Sequence, residues 1–140
     1  MTPKVTVDEF NEIMHRGLPA AKNVGTQCFE IGYGTAKLRL PFDDTHLRPG
    51  GTISGPAMMG LADATMYAVV LSMIGPVELA VTTNFNINFL RKPPQADIIA
   101  EGEIIKLGKR LAVLEVTLFT ADIEHDPIAH ATGTYSIPPR

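Results

Sequence analysis

Between Gly55 and Ile74 the chain carries an almost unbroken apolar run, Gly-Pro-Ala-Met-Met-Gly-Leu-Ala-Asp-Ala-Thr-Met-Tyr-Ala-Val-Val-Leu-Ser-Met-Ile. Asp63 is its one charge, and the only one between Arg48 and Glu78. Ser54-Gly55-Pro56 is a helix start, because proline is tolerated in a first turn where its missing N–H has no helical partner. Gly75-Pro76 is a helix stop. The run therefore predicts a helix over about 55–74 with apolar residues on every side, and such a helix must be covered on every side. It is long enough to raise the question of a membrane span. The central Asp63, the opening Gly-Pro and the absence of a second such run favour a helix wrapped by its own protein.

The rest of the chain supplies the wrapping. Val7 to Arg16 places Val7, Phe10, Ile13 and Met14 at helical spacing, with Gly17 as a stop, and predicts a short amphipathic helix over about 7–16. Thr26 to Phe42 reads as two strands about the turn Ile31-Gly32-Tyr33-Gly34. Ala36, Leu38 and Leu40 there alternate with Lys37 and Arg39, so one face is buried and one is wet. Asp43 to Gly51 is a loop. Glu78–Leu90, Asp97–Lys106, Arg110–Ala121 and Pro127–Ile137 read as further strands with short joints, which favours antiparallel neighbours. The expected architecture is α+β: one domain over residues 1–140, with a curved antiparallel sheet wrapped around a long central helix. An uncovered sheet edge and leftover apolar surface favour a dimer.

Composition narrows the function classes. A chain of 140 residues with 45% hydrophobic and 19% charged residues suits one ordinary core. A net charge of −3 gives no electrostatic footprint for nucleic acid. One cysteine, Cys28, forms no disulfide within the chain, and no secretory signal is evident, so a cytoplasmic setting is expected. His15, His46, His125 and His130 lack metal-ligand spacing, and no metal is expected. No Gly-rich phosphate loop or nucleophile elbow is present.

Two features carry chemistry. A carboxylate within an apolar helix needs partners, and desolvation suits it to act as a base or nucleophile. At the helix start, free N–H groups and the positive end of the dipole favour an anion or a developing oxyanion. Pro56 has no N–H, so Gly55 is the donor best left to face a ligand. A plain N-terminal turn capped by Ser54 satisfies the same residues. Gly55 and Asp63 are eight residues apart, or roughly 12 Å along a helix. A donor and an attacking group must both lie about 3 Å from one reacting carbonyl. One copy of the helix does not do this, whereas two side by side do. If both residues serve one reaction, the site lies between subunits.

The runs Gly55-Pro-Ala-Met-Met-Gly-Leu-Ala-Asp63, Thr83-Asn-Phe-Asn-Ile-Asn-Phe-Leu-Arg91, Ile105-Lys-Leu-Gly-Lys-Arg-Leu-Ala-Val-Leu-Glu115 and Ala129-His-Ala-Thr-Gly-Thr-Tyr135 together resemble the hotdog-fold acyl-CoA thioesterases, nearest to the phenylacetic-acid-pathway type. The resemblance covers most of the chain from about Thr26 onward. It implies a hotdog fold, a homodimer or tetramer, and hydrolysis of an acyl-CoA thioester at a site between subunits. Coenzyme A would be part of the substrate, and no separate cofactor is implied. Asp63 falls on the family's catalytic carboxylate, and Gly55 on the residue whose N–H polarises the thioester carbonyl. Thr82 falls near a hydroxyl that helps place the water.

The match departs from the family before the helix. Ser54-Gly55-Pro56 stands where the pattern is His-Gly-Gly, so Ser54 occupies a site-shaping position, and Arg48 stands where many members have asparagine. Two other outcomes fit the sequence: an acyl-CoA-binding protein without catalysis, and a hydratase or dehydratase on the same fold using His46. Arg91, Lys106, Lys109 and Arg110 are candidate contacts for the phosphates of coenzyme A, or else solvated turn residues. Met58, Met59, Met66 and Met73 suit either an adaptable acyl pocket or core filling.

Overall fold

The computed structural model describes residues 1–123 and 126–139. The elements in chain order are α1 (Val7–Gly17), α2 (Pro19–Asn23), β1 (Gln27–Gly32), β2 (Thr35–Leu40), α3 (Gly55–Ile74), β3 (Val81–Phe89), β4 (Ile98–Leu107), β5 (Leu111–Thr120) and β6 (Ala129–Ser136). Thr6 starts α1 through a reciprocal cap: its hydroxyl accepts from the Glu9 N–H, and the Glu9 carboxylate accepts from the Thr6 N–H. The α2 turn, absent from the sequence reading, is too short to show a period and is started by Pro19. Strand β3 begins at Val81 rather than Glu78, because two tight turns, Val77 N–H to Gly75 O and Ala80 N–H to Val77 O, occupy the segment after α3.

The strands form one antiparallel six-stranded sheet in the order β1-β2-β4-β5-β6-β3. The face toward α3 is lined by Ala36, Leu38, Ala100, Leu114, Val116 and Ala131, all buried. Glycines let the helix settle close. A Cβ on Gly102 would lie 2.8 Å from Thr65 Cγ2, and one on Gly133 would lie 2.6 Å from Met66 Sδ. A sheet folded around one long central helix is the hotdog arrangement. Some 72% of the most apolar window of α3 is buried in this fold, which makes it a core helix despite a mean hydropathy of 1.6.

The helix is not covered on all sides, contrary to the sequence expectation. Pro56, Met59 and Gly60 are exposed and Asp63 is half-buried. Their i, i+3, i+4, i+7 spacing makes one continuous stripe. The stripe runs beside β3, the sheet-edge strand, where Val81, Thr82 and Phe89 are also exposed.

Candidate active site

Asp63 lies two turns into α3, on its open stripe. Thr82 Oγ1, from the first residues of β3, donates to Asp63 Oδ1 at 2.6 Å. The Tyr135 hydroxyl, from the end of β6, lies 3.0 Å from the same Oδ1 and 3.1 Å from the Asp63 carbonyl oxygen. Both side-chain donors reach one carboxylate oxygen, so Oδ2 stays free for another partner. Tyr135 is itself fixed. It is buried, and its ring stacks on Tyr67 with centroids 6.2 Å apart. Tyr67 in turn donates to the Glu78 carbonyl at 3.1 Å and meets the edge of Phe10. Burial, and secondarily the charge on Asp63, push the Tyr135 pKa well above the usual phenol value, so it stays protonated and donates.

Asp63 stands between two cavities. One, of about 260 Å³, is partly polar and lined by Tyr67, Glu78, Thr82 and Tyr135. The other, of about 270 Å³, is mainly apolar, with Ala21, Val24, Leu40, Leu61 and Ala64 in its walls and His46 among them. Leu18 borders both.

Gly55 opens a third cavity, of about 350 Å³, with Arg48, Met58, Phe89, Arg91 and Lys92. The Ser54 hydroxyl accepts from the Ala57 N–H at 3.3 Å, and the Ser54 carbonyl accepts from Met58 at the same distance. Pro56 has no donor. Gly55 therefore holds the one N–H of this first turn without an acceptor in the described chain. Its lack of a side chain matters, since a Cβ would stand 3.3 Å from the Phe89 ring. Gly55 and Asp63 open onto separate cavities of the same chain, as the helical rise requires.

The structure thus brings Asp63 and Thr82 together and adds Tyr135, which the sequence reading gave no role. The signal for Tyr135 was available. Ala129, Ala131, Gly133 and Tyr135 alternate inward on β6, and the first three are small where the helix sits closest. The row ends on a residue whose hydroxyl then meets the helix carboxylate. Ser54 spends its hydroxyl as a helix cap. Arg91 borders the Gly55 cavity, but its guanidinium is engaged by Asp126, with Nη2 donating to the Asp126 carbonyl at 3.2 Å. Lys106, Lys109 and Arg110 are exposed around the β4–β5 hairpin and line none of these three cavities. Met58 borders the Gly55 cavity and Met66 packs on the sheet, while the apolar cavity has no methionine in its wall. Cys28 is buried in β1, and burial pushes its thiol up to about 12. His15 is bonded to the Thr26 carbonyl oxygen and His130 faces Glu115. His125 lies outside the described residues.

Comparison with known proteins places this geometry. The model of the thioesterase superfamily matches residues 50–125, more than half of the chain. A solved protein from a Silicibacter species, provisionally named a thioesterase, is 39% identical, with a TM-score of 0.88 over 99% of this chain and 96% of its own. A provisionally named esterase of Thermoplasma acidophilum is 29% identical over 112 residues, which is 78% of this chain and 83% of that protein. The PaaI protein of the Escherichia coli phenylacetic acid degradation operon shares the fold, with a TM-score of 0.83 over 95% of this chain and 94% of its own, at 18% identity.

Proposed function

This chain belongs to the thioesterase superfamily, and from that premise we propose that it hydrolyses acyl-CoA thioesters at a site shared by two copies of itself. The observation that carries the reading is the clamped carboxylate. Asp63 is held at Oδ1 by two hydroxyls, on an open face, between cavities suited to an extended substrate. Oδ2 takes a proton from water, and the water oxygen attacks the thioester carbonyl carbon. The oxyanion accepts a hydrogen bond from the Gly55 N–H of the second subunit. The intermediate collapses by breaking the C–S bond, and the departing thiolate of coenzyme A takes up the proton. Direct attack by Asp63 uses the same groups through an anhydride, and heavy-oxygen label reaching Asp63 in a single turnover identifies that route.

The second subunit is supported by what one copy leaves open. Met59, Val81 and Phe89 are 40%, 55% and 49% exposed along the helix stripe and β3. The outer edge of β3 also offers unpaired backbone groups. A two-fold axis beside this edge sets the stripes against each other and brings each Gly55 toward the other Asp63.

Turnover of a panel of acyl-CoAs by wild type and Asp63→Asn tests the chemistry. Hydrolysis that depends on Asp63 is expected, and binding without it on every member would leave a non-catalytic acyl-CoA-binding protein. Mixed dimers test the sharing. Gly55→Pro removes the N–H at a position where helices accept proline, and Gly55→Ala, which keeps the N–H but also places a Cβ 3.3 Å from the Phe89 ring, controls for the crowding. Inactive Gly55→Pro and inactive Asp63→Asn, mixed and reassembled, should regain about a quarter of wild-type activity, since half of the dimers then hold one intact site of two. No recovery from a confirmed mixed dimer would place both residues in one subunit.

A further inference from the structure

Asp63 is flanked by two cavities, and one residue stands with it between them. Leu18 and Asp63 each border both the apolar and the partly polar cavity, and no other described residue does. Leu18 is at once the C-terminal cap of α1 and the residue that starts α2. Its N–H donates to the Met14 carbonyl at 2.7 Å, and its carbonyl accepts from the Ala21 N–H at 2.9 Å. With both backbone groups spent inside the chain, what Leu18 offers a ligand is its isobutyl group. The joint that carries it is tied on both sides. His15 is bonded to the Thr26 carbonyl oxygen at 2.7 Å, and Arg16 Nη2 donates to Glu78 Oε1 at 3.0 Å. Leu18 itself is 39% exposed, so the core does not depend on its side chain.

The two cavities differ as the two arms of a thioester differ. The apolar one is walled by Ala21, Val24, Leu40 and Leu61, and burial of each CH2 of an acyl chain there is favourable. The other carries the Glu78 carboxylate and the hydroxyls of Tyr67, Thr82 and Tyr135, oxygens that accept from amide N–H groups such as those along the coenzyme A arm. We propose that Leu18 is a specificity-determining wall at the reacting carbonyl. It keeps the acyl group in the apolar cavity and the thiol arm in the other, and it rejects acyl groups that branch at the carbon next to the carbonyl. This rests on the thioesterase reading above and names its substrate class: straight, apolar acyl chains. A carbonyl within reach of Asp63 lies at the boundary that Leu18 shares, so the first acyl carbon lies against the leucine. A wall fixed by two helices does not step aside for an extra methyl group. Crowding by such a group costs about five- to a hundredfold in rate. Beyond that carbon there is room. At the roughly 30 Å³ that a water molecule occupies in the liquid, the apolar cavity holds about nine heavy atoms.

The test is kcat/KM for acyl-CoA isomers of equal carbon number, about five to eight carbons, straight against branched next to the carbonyl. Equal carbon number cancels hydrophobicity, and comparing the ratio between variants cancels the lower intrinsic reactivity of branched thioesters. Wild type is expected to prefer the straight isomer by tenfold or more, on the order of the crowding cost. Leu18→Ala should bring the ratio down to about a third or less of the wild-type value by raising the branched member. Leu18→Phe, a larger wall at the same exposed position, should sharpen the preference and reports independently if Leu18→Ala does not fold. Equal use of both isomers by wild type, or a ratio unchanged in folded Leu18→Ala or Leu18→Phe, overturns the proposal and leaves Asp63-dependent hydrolysis standing. If no member is hydrolysed in an Asp63-dependent way, the thioesterase reading fails instead. Calorimetric binding of the same intact isomers then decides the wall: tighter binding of the straight isomer, lost in Leu18→Ala, supports it, and equal binding or a preference kept in Leu18→Ala overturns it.

Discussion

Removing the Tyr135 hydroxyl isolates the clamp on Asp63. In Tyr135→Phe the ring still fills its place against Tyr67, and only the donor to Oδ1 is lost. A hydrogen bond to a charged group contributes about 1.5–3 kcal/mol. At about 1.36 kcal/mol per decade of rate, that range spans about 10-fold to about 150-fold. Tyr135 is 3% exposed, so water does not replace it, and the expected fall in kcat lies in the upper part of the range. Thr82 donates to the same oxygen but is exposed, and water can stand in for it. Thr82→Val should therefore cost less, about 3-fold to 10-fold, below that scale because water replaces most of the lost bond. Because both donors serve one oxygen, the double variant should lose less than the product of the single losses. The assay is steady-state kinetics on the best acyl-CoA, with KM close to wild type if the clamp acts on the transition state. A kcat for Tyr135→Phe within about twofold of wild type would refute the claim that carboxylate orientation limits the reaction.

Three further outcomes follow from the fold. Gly102→Ala places a Cβ within 2.8–2.9 Å of Thr65 and Val69, and overpacking of this kind costs about 1–3 kcal/mol, so calorimetry should show a melting point several degrees lower. Cys28, with its thiol pushed up to about 12, should resist alkylation at pH 8 until denaturant is added, and prompt labelling of native protein would contradict the burial. Asp97 accepts from the Phe42 N–H and from Arg39, and these hold its pKa below the ordinary 3.8 in the folded state. A depressed folded pKa gives stability that is present above the unfolded value and is lost as pH falls through the folded one. Asp97→Asn should then be less stable than wild type at pH 7 in urea titrations, with the gap closing below the usual carboxylate range. A gap unchanged at low pH would assign the effect to something other than the charge.

The long helix was legible because two Gly/Pro signals bound it and its composition leaves no solvent face. The sheet was legible because alternation such as Ala36, Lys37, Leu38, Arg39 has a period that only a strand satisfies. What composition misled was burial. An all-apolar helix reads as enclosed, yet Pro56, Met59, Gly60 and Asp63 form an open stripe, because composition alone does not say which side of an apolar helix the sheet leaves uncovered. Tyr135 was missed for a related reason. It is 72 residues from Asp63, and only the pairing of β6 with β3 and its packing against α3 bring the hydroxyl to the carboxylate. His46 lies well before the helix in sequence, and the Ser54–His46 backbone bond, which no local pattern announces, folds the loop back to the helix start.

The start of α3 now has a consistent physical account. In the family pattern that the chain resembles, a second glycine follows the first and keeps its own N–H as a further donor. Pro56 removes that donor. The Ser54 hydroxyl absorbs the one at Ala57, and the Ser54 N–H is itself spent on the His46 carbonyl. The four positions that normally share the positive end of a helix are reduced to a single aimed N–H, at Gly55. Arg48 and Lys92 border the same cavity and place positive charge around it. The altered residues do not dismantle the anion-favouring end of the helix. They narrow it to one donor, so the reaction proposed here depends on Gly55 more heavily than one in which two glycines share the work.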